Sequence, residues 1–338
     1  MKRWVMGSVK DLIILREPYK KPGEGIFEFS NRYSVFDYGE MPDRIEGKGA
    51  SLCLISAFFF EKIEEIGIKT HYFGLLEGEK VRRLEELESV TNRMKVKLVR
   101  VLRPEKRNGY DYSVFKKERR NFLLPLEIIY RNKIPEGSSL LRRVEKGEVR
   151  PEDLGLSDIR AGMKLEKPIV DFSTKLEDVD RYLSQKEAKD ISGLSDEEFE
   201  KLKALTLKID ALITERVSKV GLENEDGKIE VAFDENRDFM VVDAVGTPDE
   251  CRFSFQGFEV SKEFLRIYYR KTEWYEKIKK FKGQENWREI VGVPPKLPKN
   301  LRVTISNLYM ALCNEITGIR FFDVPNLKDV VKELREVL

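Results

Sequence analysis

The chain has 338 residues, enough for one large domain or two ordinary ones, and its 41% hydrophobic and 36% charged content excludes an intrinsically disordered chain. Its 62 basic and 60 acidic residues nearly cancel, to a net charge of +2, so it lacks the basic excess of a nucleic-acid binder. Clusters such as Lys116–Lys117 with Arg119–Arg120 read as solvated faces. No apolar run approaches the roughly 20 residues that a membrane-spanning helix needs: Leu52 to Phe60 is interrupted by Ser56 and followed by Glu61, and no apolar leader stretch follows Met1.

Cys53, Cys251 and Cys313 lie far apart with no CxxC spacing, which suggests neither a disulfide framework nor a zinc site and points to a reducing cytoplasm. His71 is the only histidine, so a histidine-rich metal site is excluded. Scarce glutamine beside abundant Lys, Arg and Glu is a thermophile-like pattern.

In chain order, Ile26 to Phe29 reads as a strand running into the polar turn Ser30-Asn31-Arg32. Leu52, Ile55, Phe59, Ile63 and Ile66 recur at helical spacing over 50–66, and Gly67 supplies the stop. Met94, Val96 and Leu98 predict a strand, and Phe122 to Tyr130 a second, apolar one. The polar stretch 103–121 between them, with a turn at Asn108-Gly109, reads as an inserted excursion. Ser195 before Asp196, Glu197 and Glu198 is a helix N-cap with acid in the first turn, and Phe199 to Val217 carries the helix on to Gly221. The strands 229–233 and 239–245, joined through Asp234-Glu235-Asn236-Arg237, form a hairpin pattern. Beyond it Ser261 caps an aromatic-rich helix, Pro294-Pro295 breaks the chain, and two more helices close it. Sheet-forming segments with segregated helices predict an α+β fold.

The segment most suggestive of chemistry is Asp226-Gly227-Lys228-Ile229-Glu230, followed by Asp243. Across paired strands, Glu230 and Asp243 can face each other and suit Mg²⁺, a hard ion that takes a few oxygens plus nucleotide phosphates. The competing reading is the polar outer face of a hairpin. Against it, Asp243 is an isolated charge among Met240, Val241, Val242, Ala244 and Val245, and a lone carboxylate is costly to bury. Next, Gly246-Thr247-Pro248 fixes a turn that presents Asp249 and Arg252 on one side, where Arg252 suits bidentate binding of phosphate or carboxylate; the plainer reading is a structural turn with an internal ion pair.

Asp-x-Lys-x-Glu, a strand ending in Asp, then Thr-Pro-Asp-x-x-Arg resembles the core signature of the phosphoribosylaminoimidazole-succinocarboxamide (SAICAR) synthases. Further blocks resemble theirs in the same order: Gly7-Ser8-Val9-Lys10, the segment Phe29 to Asp37, Gly47-Lys48-Gly49-Ala50, Thr70-His71, Pro125 to Asn132 with Gly137-Ser138, and Ser173-Thr174-Lys175 with Asp180. Pro294 to Gly318 resembles the C-terminal helix of the longer members.

The resemblance implies a two-lobed α+β fold with an ATP cleft between an N-terminal nucleotide-binding lobe, 1–125, and a C-terminal lobe, 126–338, that ends in a helical section. It implies an ATP-dependent ligase of purine biosynthesis, joining the carboxylate of carboxyaminoimidazole ribonucleotide to the amine of L-aspartate. ATP and Mg²⁺ are then required, with no nucleic-acid or membrane partner, and homo-oligomerisation is left open. Gly7, Lys10 and Lys228 would contact ATP, Glu230 and Asp243 would hold Mg²⁺, and Lys228 and Asp249 would be catalytic. Asp37, Lys48, Arg131, Ser138, Ser173, Thr174, Lys175, Asp249 and Arg252 would bind substrate. Three of these have plainer readings: Arg131 as a surface partner of Glu127, Lys48 as a solvated residue before a helix, and Ser173-Thr174 as a strand end. The chain departs from the family pattern at Ser8 (usually Lys), Ala244 (usually Glu), Val231-Ala232 (usually Phe-Gly) and Val179 (often His), and in the 103–121 insertion. Asp234 or Glu235 is expected to compensate for Ala244 at the metal. The departures leave room for a paralogue with another substrate or for a weakened nucleotide-binding protein.

Overall fold

The computed structural model describes residues 3–107 and 109–337; Met1 and the Asn108 half of the expected turn lie outside it. The strands β1 (Arg3–Val5), β2 (Lys10–Arg16) and β3 (Gly23–Phe29) open a six-stranded antiparallel sheet. Helix α1 (Lys48–Glu65) and strand β4 (Lys69–Thr70) follow, and β5 (Tyr72–Glu77), β6 (Lys80–Arg82) and β7 (Arg93–Leu98) complete that sheet in the order β1-β2-β3-β7-β5-β6. The 103–121 excursion is structured, as a small hairpin of β8 (Glu105–Arg107) and β9 (Gly109–Asp111) followed by α2 (Ser113–Lys117).

The expected single strand 122–130 is two, β10 (Phe122–Leu123) and β11 (Leu126–Ile134). They are separated at Pro125, which has no N–H to give a ladder. After α3 (Ser139–Glu145) come β12 (Met163–Thr174), β13 (Tyr182–Leu183), α4 (Gln185–Ser192) and α5 (Asp196–Ser218). Ser195 and Glu198 close a reciprocal capping box on α5.

Strand β14 (Leu222–Phe233) begins well before the expected Ile229, and β15 (Phe239–Val242) ends before the expected Val245. With β16 (Cys251–Phe255) and β17 (Phe258–Glu259) they build the nine-stranded second sheet, whose main path is β13-β12-β11-β14-β15-β4. The helices α6 (Glu263–Arg270), α7 (Glu273–Phe281), α8 (Trp287–Val291), α9 (Lys299–Thr317) and α10 (Leu327–Val337) close the described chain. The fold is α+β with a helical C-terminal section, and among the described residues no helix is long and apolar enough to cross a membrane.

Strand alternation places the site. On β11 and β14, Ile128, Tyr130, Ile229 and Val231 are buried in the main core, on which α5 packs. Their neighbours Glu127, Ile129, Arg131, Lys228 and Glu230 therefore share the opposite face. Helix α1 packs on the first sheet and against α9.

Candidate active site

Register brings the charges together. Arg131 lies opposite Asp226 across β11 and β14, Asp226 opposite Arg252 on β16, and Glu127 opposite Ser173 on β12. An alternating chain of ion pairs results: Arg143–Asp171 at 2.6 Å, Asp171–Arg131 at 3.0 Å, Arg131–Asp226 at 3.3 Å and Asp226–Arg252 at 3.0 Å. Arg131 is only 1% exposed, so it is not a surface partner of Glu127. Glu127 instead takes the Lys228 ammonium at 2.6 Å, and Glu250 approaches the same ammonium at 3.4 Å. Burial would depress Lys228, but Glu250 and Glu127 raise it well above the ordinary lysine value, so it stays cationic.

Further along the same face lie the two expected metal carboxylates. Asp243 is not inside β15. It follows the strand with φ 72°, a left-handed conformation that Asp tolerates better than most residues. Val242, not Asp243, is the register partner of Glu230. The two carboxylates are nonetheless close enough to interact, and each has its own lysine: Lys10–Asp243 at 2.6 Å and Lys175–Glu230 at 2.5 Å. Burial and the Asp243 charge push Glu230 up, whereas Lys10 and Lys175 outweigh burial at Asp243 and hold it down. Asp234 and Glu235 do not compensate, because they occupy the turn at the other end of the hairpin. The Asp234 carboxylate is committed there to Lys69 at 2.6 Å and to the Asn236 and Asp238 N–H groups. Ala244 is 6% exposed and packs within the main core.

Beside the ion-pair chain is a cavity of about 310 Å³, lined among others by Asp37, Arg131, Lys228, Asp249 and Arg252. Lys48 stands behind Asp249, with Nζ 2.8 Å from Oδ2, and is fully buried rather than solvated. Its flanking glycines explain the placement. Gly47 has φ 75°, and a Cβ on Gly49 would lie 2.5 Å from the Phe29 carbonyl oxygen, so only glycine lets α1 begin this close to β3. Burial alone would raise the Asp249 carboxyl, but Lys48 and Lys262 bring it down to about 2, and it is ionised at neutral pH.

The other expected residues are placed as follows. Ser138 caps α3 and lies 3.5 Å from Arg131, so it supports that side chain from behind. Ser173 donates to Glu127 at 3.4 Å, and Thr174 accepts the Arg181 N–H, ending β12. Gly7 sits in the exposed connection that leads to Lys10. Asp37, in an exposed loop, pairs with Lys282 at 2.7 Å.

Sequence reasoning did not count Glu127, Asp180, Asp226, Glu250, Lys262 or Arg266 among the site residues, although Asp180 and Asp226 fall within its motifs; all six line the cavity. Burial, then the Glu127 charge, lifts Asp180 to about 6. Desolvation lowers Lys262. For Glu127 the signal was present: Glu127, Ile129 and Arg131 alternate with buried Ile128 and Tyr130.

The SAICAR synthetase family profile matches residues 6–281. An Archaeoglobus fulgidus protein that carries the name phosphoribosylaminoimidazole-succinocarboxamide synthase provisionally is 70% identical over 333 residues, spanning 98% of this chain and 100% of its own. The Thermoplasma volcanium phosphoribosylaminoimidazole-succinocarboxamide synthase is 35% identical over 330 residues, spanning 94% and 99%. Among solved structures, a SAICAR synthetase in complex with ADP superposes with a TM-score of 0.60 at 21% identity, over 96% of this chain and 100% of that one. The Saccharomyces cerevisiae SAICAR synthase complexed with SAICAR does so with 0.65 at 21%, over 95% and 97%. These two share the fold, and with the profile match and the two sequence relatives they establish that the chain belongs to the SAICAR synthetase family.

Proposed function

We propose that the protein is an ATP-dependent ligase that joins the carboxylate of carboxyaminoimidazole ribonucleotide to the amine of L-aspartate. The observation that carries this reading is the adjacency, on one sheet face, of a lysine-flanked carboxylate pair and an arginine-bearing cavity. The first suits phosphoryl groups and the second an anionic substrate. A carboxylate is a poor electrophile, so ATP must convert it to an acyl phosphate before an amine can displace phosphate. The protein's share is positioning and charge neutralisation.

Lys10 and Lys175 bring ammonium groups to the nucleotide side, and the Gly7 connection brings backbone N–H groups. Arg131 and Arg252 take the anionic groups of the ribonucleotide, with Lys228 between the two regions. Asp249 orients the imidazole. Glu230 and Asp243 fit a divalent cation: they are two hard oxygen donors, close enough that burial and the Asp243 charge together raise Glu230. Among the described residues no third His, Cys, Asp or Glu converges on a metal position, which suits an ion that takes its other oxygens from phosphate and water. Mg²⁺ held there would neutralise phosphoryl charge. Three buried, unbridged thiols agree with a reducing cytoplasm.

The test is ADP release by purified protein with ATP, Mg²⁺, the ribonucleotide and each common amino acid in turn. Release specific to aspartate is expected. Release with a different amine would make the protein a paralogue with its own substrate, and nucleotide binding without release under any pairing would overturn the ligase reading.

A further inference from the structure

Tyr309 lies on α9, beyond the 6–281 segment that the family profile matches, yet its hydroxyl reaches Asp249, one of the residues that line the cavity. Its hydroxyl donates to Asp249 Oδ1 at 2.8 Å, while Lys48 takes Oδ2 at 2.8 Å. The Lys48 ammonium also lies over the Tyr309 ring, 5.4 Å from its centroid. Tyr309 is 2% exposed and Lys48 fully buried, so water does not compete for either contact. Each oxygen of Asp249 is thus held by a different, rigidly mounted partner. A carboxylate bonded on one oxygen alone can still swing about its χ2 torsion, which is broad for Asp; one bonded on both cannot.

We infer that Tyr309 is a positioning residue, which fixes the rotation of the Asp249 carboxylate so that the cavity presents it to the ribonucleotide in one orientation. The inference rests on the ligase reading for the identity of that ligand. It assigns to the C-terminal helical section a part in the site as well as in the packing. The backbone supports the geometry: α9 packs directly on α1, which begins at Lys48, so one helix pair carries both groups that hold Asp249. The turn that carries Asp249 is fixed in turn by Thr247, whose backbone and hydroxyl oxygens both accept the Glu250 N–H.

Tyr309→Phe removes one O–H and keeps the ring under Lys48. The expected result is about a tenfold fall in kcat/KM for the ribonucleotide, an unchanged KM for ATP, and a melting point within about 2 °C of wild type. In an Asp249→Asn background the same substitution should change kcat/KM by less than twofold, because its partner is already altered. A structural role would act equally in both backgrounds. Unchanged kcat/KM in Tyr309→Phe overturns the inference. So does a loss shared by both substrates with a melting point lowered by more than about 10 °C. Calorimetric titration of the ribonucleotide into ATP-free protein separates this idea from the ligase reading. About tenfold weaker binding by Tyr309→Phe supports the positioning role even if no ADP is ever released, and equal binding refutes it even if ADP release is normal.

Discussion

Arg131 has two roles that a single substitution can separate. It is the middle member of an alternating chain, Arg143–Asp171–Arg131–Asp226–Arg252, and it lines the cavity. Breaking a buried ion pair costs about 3–5 kcal/mol when the partner is stranded. Here neither partner is stranded, because Arg131→Met leaves Asp171 with Arg143 at 2.6 Å and Asp226 with Arg252 at 3.0 Å. Methionine also refills much of the volume. The loss should therefore fall at the low end, about 3 kcal/mol, which at roughly 2 °C per kcal/mol for a chain this long is about 6 °C in melting point. Arg252, at 18% side-chain exposure, shares Asp226 with Arg131, so Arg252→Ala should cost only about 1 kcal/mol. Both variants should raise the ribonucleotide KM by about 10- to 100-fold, since each charge-assisted bond to an anion is worth about 1.5–3 kcal/mol. Calorimetric melting and steady-state ADP release at varied ribonucleotide measure the two effects. If Arg131→Met melts about 6 °C lower with an unchanged KM, Arg131 is a strut and the anion site lies elsewhere. If it melts more than about 12 °C lower, the pairwise compensation is wrong.

Asp243→Asn keeps a side chain that tolerates the left-handed backbone, so the melting point should hold while kcat falls at least about 100-fold; Asp234→Ala, at the far end of the hairpin, should leave the Mg²⁺ dependence of turnover at its wild-type value. Burial raises Glu259 to about 7, from an ordinary value of 4.5. The folded state then holds a proton that the unfolded state releases, so Glu259 costs stability as pH rises from about 4.5 to 7, up to about 3 kcal/mol above that window. Glu259→Gln should therefore stabilise the protein at pH 8 and not at pH 4.5, and an equal shift at both pH values in thermal melts would contradict this. Gly246→Ala puts a Cβ 2.1 Å from the Phe59 ring at φ 68°, and should cost about 3 kcal/mol by overpacking and left-handed strain; because the same turn carries Asp249, turnover should fall with stability.

Elements whose cause is local were legible. The helix Asp196–Ser218 announces itself by a capping box and a helical apolar repeat, and needs no distant partner to be placed. The first half of β14 was not legible, because Glu223, Asn224, Glu225 and Asp226 have poor strand propensity. They are held in the sheet by side chains remote in sequence: Lys133 bonds Glu223 at 2.9 Å and Glu225 at 2.7 Å, and Arg131 and Arg252 take Asp226. The extension of β15 to Val245 failed for the opposite reason. An apolar run continues past Val242, but Asp243 turns the backbone left-handed and the next residues drop into the core.

For the site, alternation fixed which charges share a face but not which partner each takes. That is why Glu127 reads in the sequence as a surface partner of Arg131, whereas the paired strands give it to Lys228. Lys262 and Arg266 were harder still, although they carry a local anomaly. Both lie at or near the start of α6, the end where the helix dipole is positive and where acidic residues are favoured. Glu263 answers Arg266 at 2.9 Å, but Lys262 is desolvated and, among the described residues, has no ion pair of its own beyond the field of Asp249 and Glu250. Lys262 therefore sits against both its helix dipole and its solvation energy, and with Arg266 it lines the cavity, where the two cations add to the field of Arg131 and Arg252.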